Sequence, residues 1–232
     1  MKSFRSSRLL YIALVSVFAL LSLPVAAQSR DFLRESIDKY GECRNVAITQ
    51  GHGSVMLFGV NGWVADEFCP SSLKRNLRKL HQNGEDIVDV CITQSGNWII
   101  LYGRNGFNWL GVPDSLIPVL YKCNGDDEEV VTVTFRDDGD WVVVTKNYVD
   151  CNNPDIYSWI MEGCELYGNV RTVTMSDDGI IVIYEKGHRT SGEVPETLCT
   201  ALSNTDIEVR CVKFAGEAWF FSDGVARYEY LM

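Results

Sequence analysis

A valine returns five times in this chain, and its neighbours return with it. Val46, Val90, Val133, Val173 and Val212 stand between 39 and 44 residues apart. Around them five segments align: NVAITQGHGSVMLFG from Asn45, DVCITQSGNWIILYG from Asp89, TVTFRDDGDWVVVTK from Thr132, TVTMSDDGIIVIYEK from Thr172 and CVKFAGEAWFFSDG from Cys211. The first two share more still, because Ile48-Thr49-Gln50 matches Ile92-Thr93-Gln94. A repeat of roughly 40 residues marks stacked supersecondary units, each too small to bury its own apolar face.

Each unit reads alike. A short alternating strand comes first, as in Val131-Thr132-Val133-Thr134-Phe135. A turn rich in Asp and Gly follows: Asp137-Asp138-Gly139, Asp177-Asp178-Gly179 or Ser95-Gly96-Asn97. The second strand is almost wholly apolar, Trp98 to Tyr102 or Trp141 to Thr145, which predicts cover on both faces. Asn61-Gly62, Asn105-Gly106 and Asp223-Gly224 predict tight turns into a third strand.

Helical stripes separate the strand groups. Leu33, Ile37 and Tyr40 form one, and Leu73, Leu77 and Leu80 another. Ile156, Trp159 and Ile160 form a third, with Leu198 and Leu202 as a shorter version. Pro70, Pro113, Pro154 and Pro195 mark helix starts, where a missing N–H costs nothing. Pro118 is expected inside a helix, shortening or kinking it. The fold class is therefore α+β: five tandem helix-plus-three-strand repeats, in a propeller-like ring or an arc. A ring protects the terminal edges and is the preferred arrangement. The units fall near 30–69, 70–112, 113–153, 154–194 and 195–232, within one repeat domain spanning 28–232.

The N-terminus carries Lys2, Arg5 and Arg8, then an apolar stretch from Leu9 to Leu23, then Pro24-Val25-Ala26-Ala27. That order predicts a signal peptide over residues 1–27, and with it a secreted or periplasmic protein. The chain is acidic, with a formal charge of -10. That balance argues against nucleic acid as a partner, because a duplex binder needs a basic face. It also disfavours anionic membrane surfaces, and no later segment reaches the length of a span. Eight cysteines behind a signal peptide predict disulfides. The one pair singled out is Cys199 with Cys211, at a helix and at the start of the next strand.

Chemistry is harder to find. The three histidines, His52, His81 and His188, belong to no metal spacing. Nucleophile elbows, phosphate loops and dinucleotide fingerprints are missing, and no cofactor is implied. The acid-rich turns are read as turns and solvated loops rather than as calcium ligands. Trp98, Trp141 and Trp219 recur at one place and are assigned to the core. Trp63, Phe107, Trp109 and Tyr228 lie at or after turns or near strand ends, where exposed rings anchor a ligand. The expected function is a secreted, non-enzymatic binding or interaction protein, with an extracellular or periplasmic protein or glycan as partner. The alternative is a hydrolase or transferase at the repeat axis, with Asp140, Asp177 and His188 as the groups to inspect.

Overall fold

The computed structural model describes residues 25–232, so the expected signal segment lies outside the described residues except for Val25–Ala27. Unit 1 comprises α1 (Val25–Tyr40), β1 (Asn45–Ile48), β2 (Ser54–Phe58) and β3 (Gly62–Ala65). Unit 2 comprises α2 (Ser71–Asn83), β4 (Ile87–Ile92), β5 (Trp98–Tyr102) and β6 (Gly106–Leu110). Unit 3 comprises α3 (Leu116–Gly125), β7 (Val130–Phe135), β8 (Trp141–Thr145) and β9 (Val149–Cys151). Unit 4 comprises α4 (Pro154–Tyr167), β10 (Val170–Met175), β11 (Gly179–Tyr184) and β12 (Gly187–Gly192). Unit 5 comprises α5 (Glu196–Asn204), β13 (Cys211–Ala215), β14 (Ala218–Ser222) and β15 (Tyr228–Leu231). Each unit's strands form their own antiparallel three-stranded sheet in sequence order.

The repeated valine fixes the register. Val46 pairs with Met56, Val90 with Ile100, Val133 with Val143, Val173 with Val182 and Val212 with Phe221. All five valines are buried. Because side chains alternate along a strand, each sheet buries two faces, and each face belongs to a different core. In unit 5, Val212, Phe214, Trp219 and Phe221 pack with Leu198 of α5. Cys211, Ala215 and Phe220, on the opposite face, pack with Leu33 and Ile37 of α1 and with Val46 and Met56 of unit 1. Five such cores lie between neighbouring sheets, each filled by one helix. The expectation that the second strands are covered on both faces is met: Trp98 to Leu101 and Trp141 to Val144 are buried throughout.

The tryptophans repeat a polar contact as well as a position. Trp98 Nε1 donates to Ser72 Oγ at 3.0 Å, Trp141 Nε1 to Ser115 Oγ at 2.9 Å and Trp219 Nε1 to Thr197 Oγ1 at 3.0 Å. Each indole N–H would otherwise be a buried donor without a partner. Each bond also ties the second strand to the start of the helix that enters its unit. Unit 1 has Ser54 at this place. There Ser29 of α1 donates to the buried Asp66 carboxylate, which also accepts the Ser54 N–H at 2.9 Å and the Cys69 N–H at 3.0 Å.

Two local expectations need correction. The Asn-Gly pairs do not form two-residue turns. Phe58 pairs with Gly62 and Tyr102 with Gly106, so three residues make each loop, and positive φ falls at Gly59 (54°) and Gly103 (56°). Gly62 and Gly106 are required for another reason: a Cβ would meet the Phe58 ring at 2.6 Å or the Tyr102 ring at 2.4 Å. Asp223-Gly224 likewise opens a five-residue loop, in which the Asp223 carboxylate accepts the N–H groups of Val225, Ala226 and Arg227. Pro118 sits in the first turn of α3, where no intrahelical N–H bond is lost, and the helix begins at Leu116 rather than at Pro113.

Candidate functional site

The first strands of successive units touch in order: β1 with β4, β4 with β7, β7 with β10, β10 with β13, and β13 with β1. In the strand alternation, the residues on either side of each valine face away from it. Asn45, Asp89, Thr132, Thr172 and Cys211 precede the valines, and all five line one cavity of about 170 Å³. Ala47, Cys91, Thr134, Thr174 and Lys213 follow the valines, and all five line a second cavity of about 40 Å³. Lys213 borders both cavities and so lies between them. In β4, β7 and β10 a register shift falls just before Asp89, Thr132 and Thr172. A bulge at that place re-aims the following side chain.

The centre is a polar network around one ion pair. Lys213 of unit 5 reaches Asp89 of unit 2, Nζ to Oδ1, at 2.9 Å, and both side chains are buried. Asp89 Oδ1 also accepts Asn45 Nδ2 at 2.9 Å and the Val90 N–H at 2.8 Å, and Oδ2 accepts Thr132 Oγ1 at 2.7 Å. Burial drags the Lys213 pKa down, but Asp89, helped by Cys211 and Cys91, outweighs burial and leaves it above the ordinary value. The ammonium therefore stays charged. Burial pushes the Cys211 thiol up to about 12 against the opposing pull of Lys213, and burial also raises Cys91. Both remain protonated near neutrality, which is the wrong state for a nucleophile.

Sequence reasoning missed this centre. The signal was present in the columns beside the repeated valines. The preceding column is Asn, Asp, Thr, Thr and Cys, polar or thiol in every unit, and Asp89 and Lys213 are the only charges in the two columns. What the sequence withheld was that a residue of unit 2 meets one of unit 5.

The sequence-predicted binding residues disperse. Trp63 packs on the core between units 1 and 2, beside Ala65 and Tyr102. Tyr228 packs on the core between units 5 and 1, with its ring 6.0 Å from Phe220 and 6.2 Å from Tyr230. Phe107 and Trp109 alone come together, with ring centroids 5.2 Å apart. Tyr121 of α3 joins them, its ring edge-on to Phe107 at 5.2 Å. Trp109 is 38% exposed and Tyr121 58%. Phe107 is the half-buried foot of this patch and packs against the core between units 2 and 3.

The groups considered for catalysis do not converge. Asp140 pairs with Arg136 at 2.6 Å and accepts Asn153 Nδ2 at 3.0 Å. Asp177 lies in the turn between β10 and β11, where burial and the neighbouring Asp137, Asp178 and Asp138 raise its pKa. His188 is on β12, half-buried, and burial lowers its pKa. The expected Cys199–Cys211 bridge is not formed, and all eight thiols are free. Alternation supplies the reason. α5 packs on the sheet face that carries Val212 and Phe214, whereas Cys211 is on the other face, donating to Asn45 Oδ1 at 2.9 Å. Among the described residues no helix is long and apolar enough to cross a membrane.

No family model matches the sequence, and neither a curated protein nor a solved structure matches the chain.

Proposed function

We propose that this chain is an exported, non-enzymatic binding protein: a propeller-like ring of five units that presents one aromatic patch to a partner protein. Closure into a ring is favoured by the fifth core, in which α1 joins the last unit to the first, and by a cavity lined once by each first strand. Export is favoured by the basic, apolar and small-residue order of residues 1–27. A cut after Ala27 removes only the first three residues of α1. Ser29, Leu33, Ser36 and Ile37 remain, and they are the buried residues that hold this helix.

The observation that carries the reading is the Phe107–Trp109–Tyr121 cluster. Tryptophan and tyrosine dominate binding hot spots because they bring large apolar area with little rotamer entropy. A rigid foot and two exposed rings make a preorganised contact. Leu110, although exposed, lies on the opposite face of β6, paired with Trp98 rather than with Ile99, so the reading rests on the three rings alone.

The test is a Trp109→Ala/Tyr121→Ala variant in a crosslinking pull-down from the protein's native compartment, beside a glycan array. The reading expects one protein to be captured by the parent and lost by the variant, with the melting temperature unchanged. Equal capture by both moves the surface elsewhere, and a glycan hit lost in the variant replaces the protein by a sugar. Small-angle scattering tests the ring. A compact chain of the described length has a radius of gyration near 17 Å, and an arc gives a clearly larger one.

A further inference from the structure

The central network is unevenly satisfied, and what it lacks is informative. An ammonium has three N–H donors. Lys213 is only 8% exposed, and it has a single hydrogen-bond acceptor among the described residues, Asp89 Oδ1. Thr172, 4% exposed, lines the same cavity and its hydroxyl has no protein partner. Asp89, by contrast, already accepts four hydrogen bonds, from Asn45, Lys213 and Val90 at Oδ1 and from Thr132 at Oδ2. The open capacity in this cavity is thus mostly on the donor side.

The wall adds positive charge. Arg44 borders the cavity, but its guanidinium is spent on the carbonyl oxygens of Gly59, Val60, Ile87 and Val88, so it shapes the wall. Arg210 also borders it. Its carboxylate partner, Glu208, is shared with Arg171 at 3.3 Å, leaving two guanidinium groups to one carboxylate. Donors that face a cavity without a protein acceptor are met there by water or by a ligand that accepts from them.

We propose that the 170 Å³ cavity between the first strands binds one small oxyanion, either a small carboxylate or an inorganic oxyanion. Lys213 and Thr172 donate to it, and Arg210 lies at its wall. The site is separate from the aromatic patch and does not depend on it. Occupancy ties β13 of unit 5 to β10 of unit 4 through the ligand, as Asp89 already ties β13 to β4.

Isothermal titration calorimetry on the whole chain tests this, with sodium acetate and sodium phosphate as separate probes at constant ionic strength. The expected result is one saturable site per chain for at least one probe, and which of the two binds more tightly identifies the source. Thr172→Val, which exchanges a hydroxyl for a methyl of similar size, weakens binding roughly tenfold while the melt stays cooperative. Asp89→Asn/Lys213→Gln, which removes both charges together, abolishes it, and Trp109→Ala/Tyr121→Ala leaves it unchanged. If the double charge variant fails to fold, Thr172→Val alone decides. No saturable binding of either probe, as a cavity holding only water gives, overturns the proposal. So does parent-like affinity in Thr172→Val.

Discussion

The five cores between neighbouring sheets and the single centre where the first strands meet are built by opposite rules. Each core joins two adjacent units and one helix, so a repeated apolar residue serves in every copy: the valine faces a core in each unit. The centre is made by all five units at once, and each side chain appears there one time. Repetition gives no help, and the residues diverge into Asn45, Asp89, Thr132, Thr172 and Cys211. A charge in such a place needs its partner from another strand, and Asp89 finds it in Lys213, 124 residues on. The cores hold the protein by burial, and the centre sets which units face one another.

Lys213→Met breaks the contrast hardest. It leaves the Asp89 carboxylate buried with its hydrogen bonds but no counter-charge, and breaking a buried pair this way costs about 3–5 kcal/mol. Urea unfolding should register a loss of that size, with most of it restored when Asp89→Leu is added. A loss under about 1 kcal/mol, the value for exposed pairs, means that water reaches the pair.

Core truncations come next. Leu77→Ala, between units 1 and 2, and Leu33→Ala, between units 5 and 1, each remove a fully buried leucine. Each should cost about 2–5 kcal/mol. The sharper expectation is that the two losses agree within about 1 kcal/mol, since the account treats α1 as equivalent to α2. A near-zero cost for Leu33→Ala alone makes α1 an appendage.

A smaller effect is expected from Trp141→Phe, which removes the bond to Ser115 and part of the packing. It should cost about 1–2 kcal/mol, and Ser115→Ala in the Trp141→Phe background should add almost nothing. Smallest is Asp177→Asn. The Asp177 pKa is raised in the folded state by burial and by Asp137, Asp178 and Asp138. The folded protein therefore holds that proton more tightly than the unfolded chain, and stability falls as pH rises through the folded pKa. At neutral pH the ionised group destabilises, so the neutral variant should melt on the order of 1 °C higher. Below pH ~4 both states are protonated and the gain should vanish.

Much of the peripheral architecture was legible. Alternation around the valines marks the first strands, the leucine stripes mark α2 and part of α1, and Trp98, Trp141 and Trp219 sit in the core as their repetition required. These are local signals, carried by neighbours in sequence. Positive φ and close ring contact call for the same residue, so the sequence does not separate the two demands at Gly62. Cys199 and Cys211 were brought together by nearness in sequence, and the period-two alternation placed them on different faces. Trp63 and Tyr228 share a kind of position with Phe107, yet each packs on its own core. The centre stayed hidden because its bonds cross between units far apart in the chain.

A double-mutant cycle on Asp89 and Lys213 tests the account most directly, because a residue of unit 2 and one of unit 5 couple only if the five first strands converge. Asp89→Leu, Lys213→Met and the double variant are unfolded in urea beside the parent. Coupled residues usually give about 0.5–3 kcal/mol, and since either single change strands a buried charge at a cost of about 3–5 kcal/mol that the double variant largely restores, the account predicts a coupling at or above the top of that range. Independent, additive effects at the two positions would contradict a shared centre.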